Sequence, residues 1–449
     1  MRITLTISRD PTRPTVGKGP GTCHDRLALK SRDTSVLDNL MASSAPTRDQ
    51  TDRLAGRRRF IKRLGQGALG VGGALQMSRS FATASADSSG QASHRPFHLP
   101  GRLGNPDLTM ATDPRLDPRI AQAMAGMPPG GPAAMLPKVT LSSSYEECLR
   151  WVAAMEKLQG MQDSARLASM PSFADIASEK KTITGIDGNE IDLYVDRPRG
   201  SKGKLSCIVH IHGGGMAFTT AQAAAAIRWR KTLARQGLVV VGVEFRNAGG
   251  VLGNHPFPAG LNDCAAAVKW VHKSRSQLSV SSVVLAGESG GGNLAVATGI
   301  KANTENWSDA IDGVFAMAPM ILGFYESVPP ELLSWRENDG YQGTREFMRA
   351  MTRVYDPTDE HEHNPMAWPF HATQESLKGL PPHIITNYEL DLIKDDGAVF
   401  ARKLQATGVS AISRTIDGAP HVPEIAMPDV IPELTEETVR SLAGFANNV

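Results

Sequence analysis

The run Gly287-Glu288-Ser289-Gly290-Gly291 constrains this chain more than any other feature. It follows the apolar stretch Ser282-Val283-Val284-Leu285-Ala286 and precedes an Ala/Val-rich helical segment. A serine between paired glycines in that setting is raised on a sharp strand-to-helix turn, the nucleophile elbow. The turn leaves no room for side chains at its flanks, so glycines stand there. The hydroxyl is held out at the end of a sheet, beside the first free N–H groups of a helix, where negative charge is favoured. Such a turn requires a strand feeding a helix, and it points to acyl transfer.

The surrounding pattern supplies the rest of that architecture. Thr182-Ile183-Thr184-Gly185-Ile186 and Glu190-Ile191-Asp192-Leu193-Tyr194-Val195 alternate about Asp187-Gly188-Asn189, a hairpin signal. Buried-strand runs follow at 206–211, 239–245, 283–286, 313–317, 383–388 and 411–416. Helical stretches separate most of them, at 221–236, 265–276, 293–301, 394–407 and 436–447. Alternation of this kind predicts an α/β fold with a mostly parallel sheet covered on both faces. Upstream, 145–167 has Leu149, Val152, Met155, Leu158 and Met161 at helical spacing and reads as an amphipathic helix. The 322–380 stretch is too long for a simple connection. It carries Trp335, Tyr341, Phe347, Tyr355 and Trp368, as core or as ligand contacts, and long excursions of this kind are usually lids or binding loops.

Composition narrows the class. The 449 residues are 41% hydrophobic with a net charge of +2, which gives no electrostatic case for nucleic acid or an acidic membrane. Arg57-Arg58-Arg59-Phe60-Ile61-Lys62, a weakly apolar 64–77 stretch and Ala82-Thr83-Ala84-Ser85-Ala86 occur in the order of a twin-arginine export signal. The arginines lie far from Met1, so Met41 is an alternative start. The expectation is an exported, periplasmic or secreted protein whose mature chain begins near Asp87. A basic tail with a chance arginine cluster, and a cytoplasmic protein, is the alternative. Cys148, Cys207 and Cys264 remain beyond that segment and are expected as buried free thiols.

Two further groups complete a chemistry for Ser289. His212-Gly213-Gly214-Gly215 follows a strand directly, and glycines let backbone amides approach a ligand. The amides of Gly213, Gly214 and Gly290 are the expected oxyanion donors. A serine hydroxyl is a weak nucleophile and needs a base with an orienting acid. Asp391 follows the strand at 383–388, and His421 follows the last strand in Gly418-Ala419-Pro420-His421. Asp395 and Asp396 compete with Asp391, but they read as helix-start caps and surface pairs. Glu288 reads as a structural partner of nearby backbone. Asp359-Glu360-His361-Glu362-His363 lacks a third fixed ligand for a metal and reads as an exposed charged loop.

Together, His212 to Gly215, Gly287 to Gly291, Asp391-Leu392-Ile393-Lys394-Asp395-Asp396 and His421 resemble the α/β-hydrolases of the hormone-sensitive-lipase type, the bacterial esterases with an HGGG motif. Asp113 to Met124 resembles that family's N-terminal cap start, and Asn364-Pro365-Met366-Ala367-Trp368-Pro369 its late loop. The likeness covers about residues 113–449. It implies an eight-stranded α/β-hydrolase sheet with a helical cap, Ser289 as nucleophile, His421 as general base then acid, and Asp391 as orienter. It implies a serine carboxylesterase acting through an acyl-enzyme on short or medium acyl or aryl esters, with no metal or organic cofactor.

The chain departs from that family at three places. Gly290 stands where many relatives have Ala. Phe245-Arg246-Asn247-Ala248-Gly249-Gly250, with extra residues before Pro256, replaces Tyr-Arg-Leu-Ala-Pro-Glu. Lys394 and Asp396 replace Arg and Glu. Expected divisions are 1–86 as extension and signal, 87–175 as N-terminal cap, and 176–449 as catalytic domain with the 322–380 cap insertion. An amidase or lactonase with the same triad fits the same residues, and a non-catalytic ligand-binding relative is the reading from another class.

Overall fold

The computed structural model describes residues 98–125, 136–323 and 325–449, so the export-signal expectation for 1–86 lies outside the described residues. Eight strands form one sheet: β1 (Ile176–Thr184), β2 (Glu190–Pro198), β3 (Leu205–Ile211), β4 (Val239–Glu244), β5 (Val280–Glu288), β6 (Gly313–Met317), β7 (His383–Tyr388) and β8 (Ala411–Ile416). Their spatial order is β1-β2-β4-β3-β5-β6-β7-β8. β2 runs antiparallel to both its neighbours, and the remaining pairs are parallel.

Burial follows from sheet position. Val239-Val240-Val241 of β4 and the interiors of β3 and β5 are buried throughout, as strands covered on both faces must be. The edge strands carry exposed side chains, Lys180 and Thr182 on β1 and Ile412 on β8. Cys148, Cys207 and Cys264 are buried free thiols.

The order places the site before any side chain is considered. The chain leaves β3 toward β4 on one side, then crosses back to β5 on the other. That reversal lies between β3 and β5, and the crevice beyond the carboxyl ends of strands at such a point is where open α/β sheets bind ligands. Ile211 and Gly287 are register partners across it. The Gly-rich loop after β3 and the serine turn after β5 therefore start side by side.

Helices Ala259–Lys273, Gly290–Thr304, Lys394–Ala406 and Pro432–Ala446 lie between or after the strands near where the sequence puts them. The first begins six residues earlier than the expected 265, because Ala259 and Gly260 continue the turn after Pro258. The upstream helix, Tyr145–Ala168, opens with a Ser144/Glu147 capping box. Only its first half is covered, through Cys148, Trp151, Val152, Met155 and Glu156; Met161 is exposed, contrary to its place in the apolar stripe. That covered half meets helix Arg345–Tyr355 of the 322–380 excursion, where Trp151 and Phe347 are in edge-to-face contact at 5.0 Å.

Candidate active site

The turn after β5 is as tight as its glycines imply. A Cβ on Gly287 would lie 2.3 Å from the Gly291 carbonyl oxygen, and one on Gly291 would lie 2.0 Å from that of Ile211. Ser289 sits at φ 55°, ψ −119°, where a side-chain-bearing residue costs about 1–3 kcal/mol. Main-chain bonds hold it there: its N–H donates to Met317 O at 2.9 Å, and its carbonyl accepts from Met320 and Asn293. Strain is concentrated at this edge of the sheet. Met216, Thr219, Ser289, Ala318 and Val422 are five of the eight non-glycine residues with positive φ among the described residues, and they follow β3, β5, β6 and β8.

Glu288 is the structural partner expected of it. Its carboxylate accepts the Gly213 N–H at 2.8 Å and meets His210 Nε2 at 3.0 Å, tying the ends of β3 and β5 together. This bond corrects the expectation for Gly213, whose amide is already committed to a buried carboxylate. The N–H groups of Gly214, Gly215 and Gly290 donate to no acceptor among the described residues. The Gly215 nitrogen lies 2.6 Å from where a Cβ on Gly290 would stand, so these two amides are neighbours. His212 stacks on Phe245 at 4.3 Å, and its Nδ1 lies 2.8 Å from the Gly213 carbonyl. Burial pushes its imidazole down to about 4, so it is a neutral support beneath the glycines.

Asp391 and His421 are brought together. Asp391 Oδ2 lies 2.6 Å from His421 Nδ1, and Oδ1 accepts the Ile393 N–H at 3.2 Å. The aspartate is 5% exposed and the histidine 26%. Burial by itself would disfavour the imidazolium. The Asp391 charge and hydrogen bond, helped by Glu288 and Glu424, outweigh it and raise the His421 pKa above the usual histidine value. An imidazole so held is a stronger base, with its tautomer fixed by the carboxylate. Ser289 stands at the same sheet edge; its Oγ makes no hydrogen bond to another described residue.

The competing acids are elsewhere. Asp395 accepts the Ser334 N–H at 2.8 Å. Asp396 is not a surface pair: it is fully buried, accepts Trp335 Nε1 at 2.8 Å, and burial holds its carboxyl well above the carboxylate range. Asp359 is engaged by Arg349 and Arg353. Trp335 and Trp368 are buried in the main hydrophobic core, and Tyr341 in a smaller cluster with Met110, Leu116, Ile120, Leu390 and Ile431.

The departures at 245–255 are stitched to the Gly-rich loop. Asn247 Nδ2 donates to Thr219 O at 2.6 Å, and Ala248 N–H to Met216 O at 2.9 Å. Glu156, from the upstream helix, accepts the Thr219 and Val251 amides at 2.8 and 2.6 Å. Sequence reasoning missed Glu156, Asn247, Asn338 and Gln342. Glu156 had a signal, a carboxylate four residues beyond Val152 on an apolar face; the amides had none.

A sheet of this order, with a strained serine turn after β5, an acid after β7 and a histidine after β8, defines the α/β-hydrolase fold. A family model described as alpha/beta hydrolase fold matches residues 208–424. A brefeldin A esterase, described as a bacterial homologue of human hormone-sensitive lipase, is 42% identical. It superposes with a TM-score of 0.72 over 78% of this chain and 98% of its own. Esterase Est22 is 33% identical, with a TM-score of 0.68 over 76% of this chain and all of its own. Carboxylesterase NlhH of Mycobacterium tuberculosis is 28% identical over 281 residues, 60% of this chain and 82% of its own. The chain belongs to the hormone-sensitive-lipase-type group of the α/β-hydrolase family. It is a carboxylic ester hydrolase.

Proposed function

We propose that the chain is a serine carboxylesterase working through an acyl-enzyme. His421 Nε2 takes the Ser289 proton as the hydroxyl attacks the ester carbonyl, and Asp391 holds the imidazolium that forms. Pairing of Ser289 Oγ with His421 Nε2 is completed when substrate binds, as catalytic hydrogen bonds in empty sites often are. The tetrahedral oxyanion sits among the amides of Gly214, Gly215 and Gly290, each worth on the order of 3 kcal/mol in such a site. His421 then protonates the leaving alcohol, and water activated by the same imidazole releases the acid. The observation that carries this reading is the 2.6 Å Asp391–His421 pair, at the sheet edge where Ser289 is held in a strained turn.

The described residues of 98–175 and 322–380 form a cap over the site, in this reading, and favour short or medium acyl and aryl esters. Hydrolysis of p-nitrophenyl acetate and hexanoate by wild type and Ser289→Ala tests it. Activity confined to wild type supports the esterase; equal rates in both sink the nucleophile, and no turnover in either favours a ligand-binding protein. The likeness to a brefeldin A esterase puts brefeldin A in the panel, and an anilide and a lactone test the amidase and lactonase alternative. The 57–86 signal pattern supports export, and N-terminal sequencing of the periplasmic or secreted form should begin near Asp87.

A further inference from the structure

Two side chains of one short stretch in the excursion reach both members of the acid–base pair. Asn338 is fully buried. Its Nδ2 spends both protons on the loop that presents the acid, donating to the carbonyls of Glu389 and Asp391 at 2.9 Å each. Its Oδ1 accepts from Arg115 Nη2 at 3.0 Å, and Arg115 is bound in turn to Asp113 and Glu337. Glu337 also takes Lys394 Nζ at 3.0 Å, three residues beyond the acid. Tyr341 OH donates to Asp113 at 2.6 Å. Gln342 then turns the other way: its Oε1 accepts the main-chain N–H of His421 at 2.7 Å.

We propose that Asn338 and Gln342 are positioning residues, a bracket that sets the Asp391 loop and the His421 main chain at the spacing their hydrogen bond requires. The proposal rests on the reading of Asp391 and His421 given above. The base needs such a hold. His421 lies between Pro420, which has no N–H, and Val422, which is strained at φ 40° and leads into Pro423. The other main-chain ties among the described residues flank the histidine: Gly418 N–H to Glu389 Oε2, Leu390 N–H to the Ala419 carbonyl and Asp117 N–H to the Gly418 carbonyl before it, and the Ile425 and Ala426 N–H groups to the Val422 carbonyl after it. Among the described residues, the bond accepted by Gln342 is the one main-chain hydrogen bond made at the residue that carries the imidazole. A side chain acting only as packing could be replaced by an isostere without effect on the chemistry, whereas a bracket cannot.

The test compares Gln342→Met, which keeps length and bulk but removes the oxygen acceptor, with Gln342→Glu, which retains an acceptor. Ser289→Ala runs beside them, and kcat and KM for p-nitrophenyl acetate are followed across pH with a melting curve for each protein. Gln342→Met is expected to fold normally and lose ~10- to 100-fold in kcat with little change in KM, the scale of loss for a small misplacement of a reacting group. The rising limb of its pH profile should move acid, because a loosened Asp391 contact holds the imidazolium less well. Gln342→Glu should recover most of the loss. Asn338→Ala should repeat the kcat effect with a larger fall in melting temperature. A folded Gln342→Met with wild-type kcat and pH profile overturns the bracket while leaving the esterase reading intact, and so does a change confined to KM. Wild-type rates in Ser289→Ala would remove the reading on which the bracket stands, and the bracket with it.

Discussion

Asp391→Asn separates the orienting role of the carboxylate from its shape. In the structure the two oxygens do different work: Oδ2 faces His421 Nδ1 at 2.6 Å and Oδ1 accepts the Ile393 N–H at 3.2 Å. Asparagine has one oxygen for both. If the oxygen stays with Ile393, the amide NH2 faces Nδ1, which must then offer a lone pair. The ring proton moves to Nε2, and the imidazole can no longer accept from a serine. The flipped amide restores the tautomer but sets two buried donors against each other, at about 1–3 kcal/mol. Losing the charge beside the imidazolium removes about 4 kcal/mol more, taking charge centres ~4 Å apart at an effective dielectric of ~20. These terms together predict a kcat loss of about 10⁴-fold or somewhat more, at 1.36 kcal/mol per decade. The assay is steady-state hydrolysis of p-nitrophenyl acetate, with circular dichroism melting to show that the fold is kept. A folded Asp391→Asn protein within tenfold of wild type would refute the reasoning.

The remaining expectations concern pH and the amides. With its pKa raised by the Asp391 pair, His421 must lose a proton before it can act, so kcat/KM should climb with pH on a limb alkaline of the ordinary histidine value of about 6.5. A limb at or below that value, or a flat profile, contradicts the assignment. Gly213→Ala should lose only a few-fold, because its amide serves Glu288 and a Cβ there comes no closer than 3.3 Å to a neighbour outside the adjoining residues. Gly214→Ala, at φ +105° with a Cβ 2.2 Å from the Phe218 carbonyl, should lose about 10²-fold or more in kcat. Equal losses in the two variants would return the oxyanion role to Gly213.

Much of this site could be read from residue order. Apolar runs alternating with helical segments define a covered parallel sheet, and β6, β7 and β8 lie where their patterns put them. The serine turn was legible because steric crowding at Gly287 and Gly291 permits few other residues. Asp391 and His421 were legible because each follows a strand. What escaped depends on pairings far apart in the chain. The Gly213 amide looked free until the fold brought Glu288, 75 residues on, to within 2.8 Å. Asp396 looked like a surface charge until Trp335 closed over it. Asn338 and Gln342 are ordinary polar residues in a loop, and only the return of the chain beside β7 and β8 gives them partners. Met161 keeps helical spacing, yet it lies beyond the covered half of its helix and remains in solvent.

The central assignment, Ser289 activated by His421, is most directly tested by covalent labelling. An aryl organophosphonate incubated with the native protein and located by peptide mass mapping is expected on Ser289, with no label in Ser289→Ala and strongly slowed labelling in His421→Ala. Label on a different serine, or incorporation that survives Ser289→Ala, would contradict it.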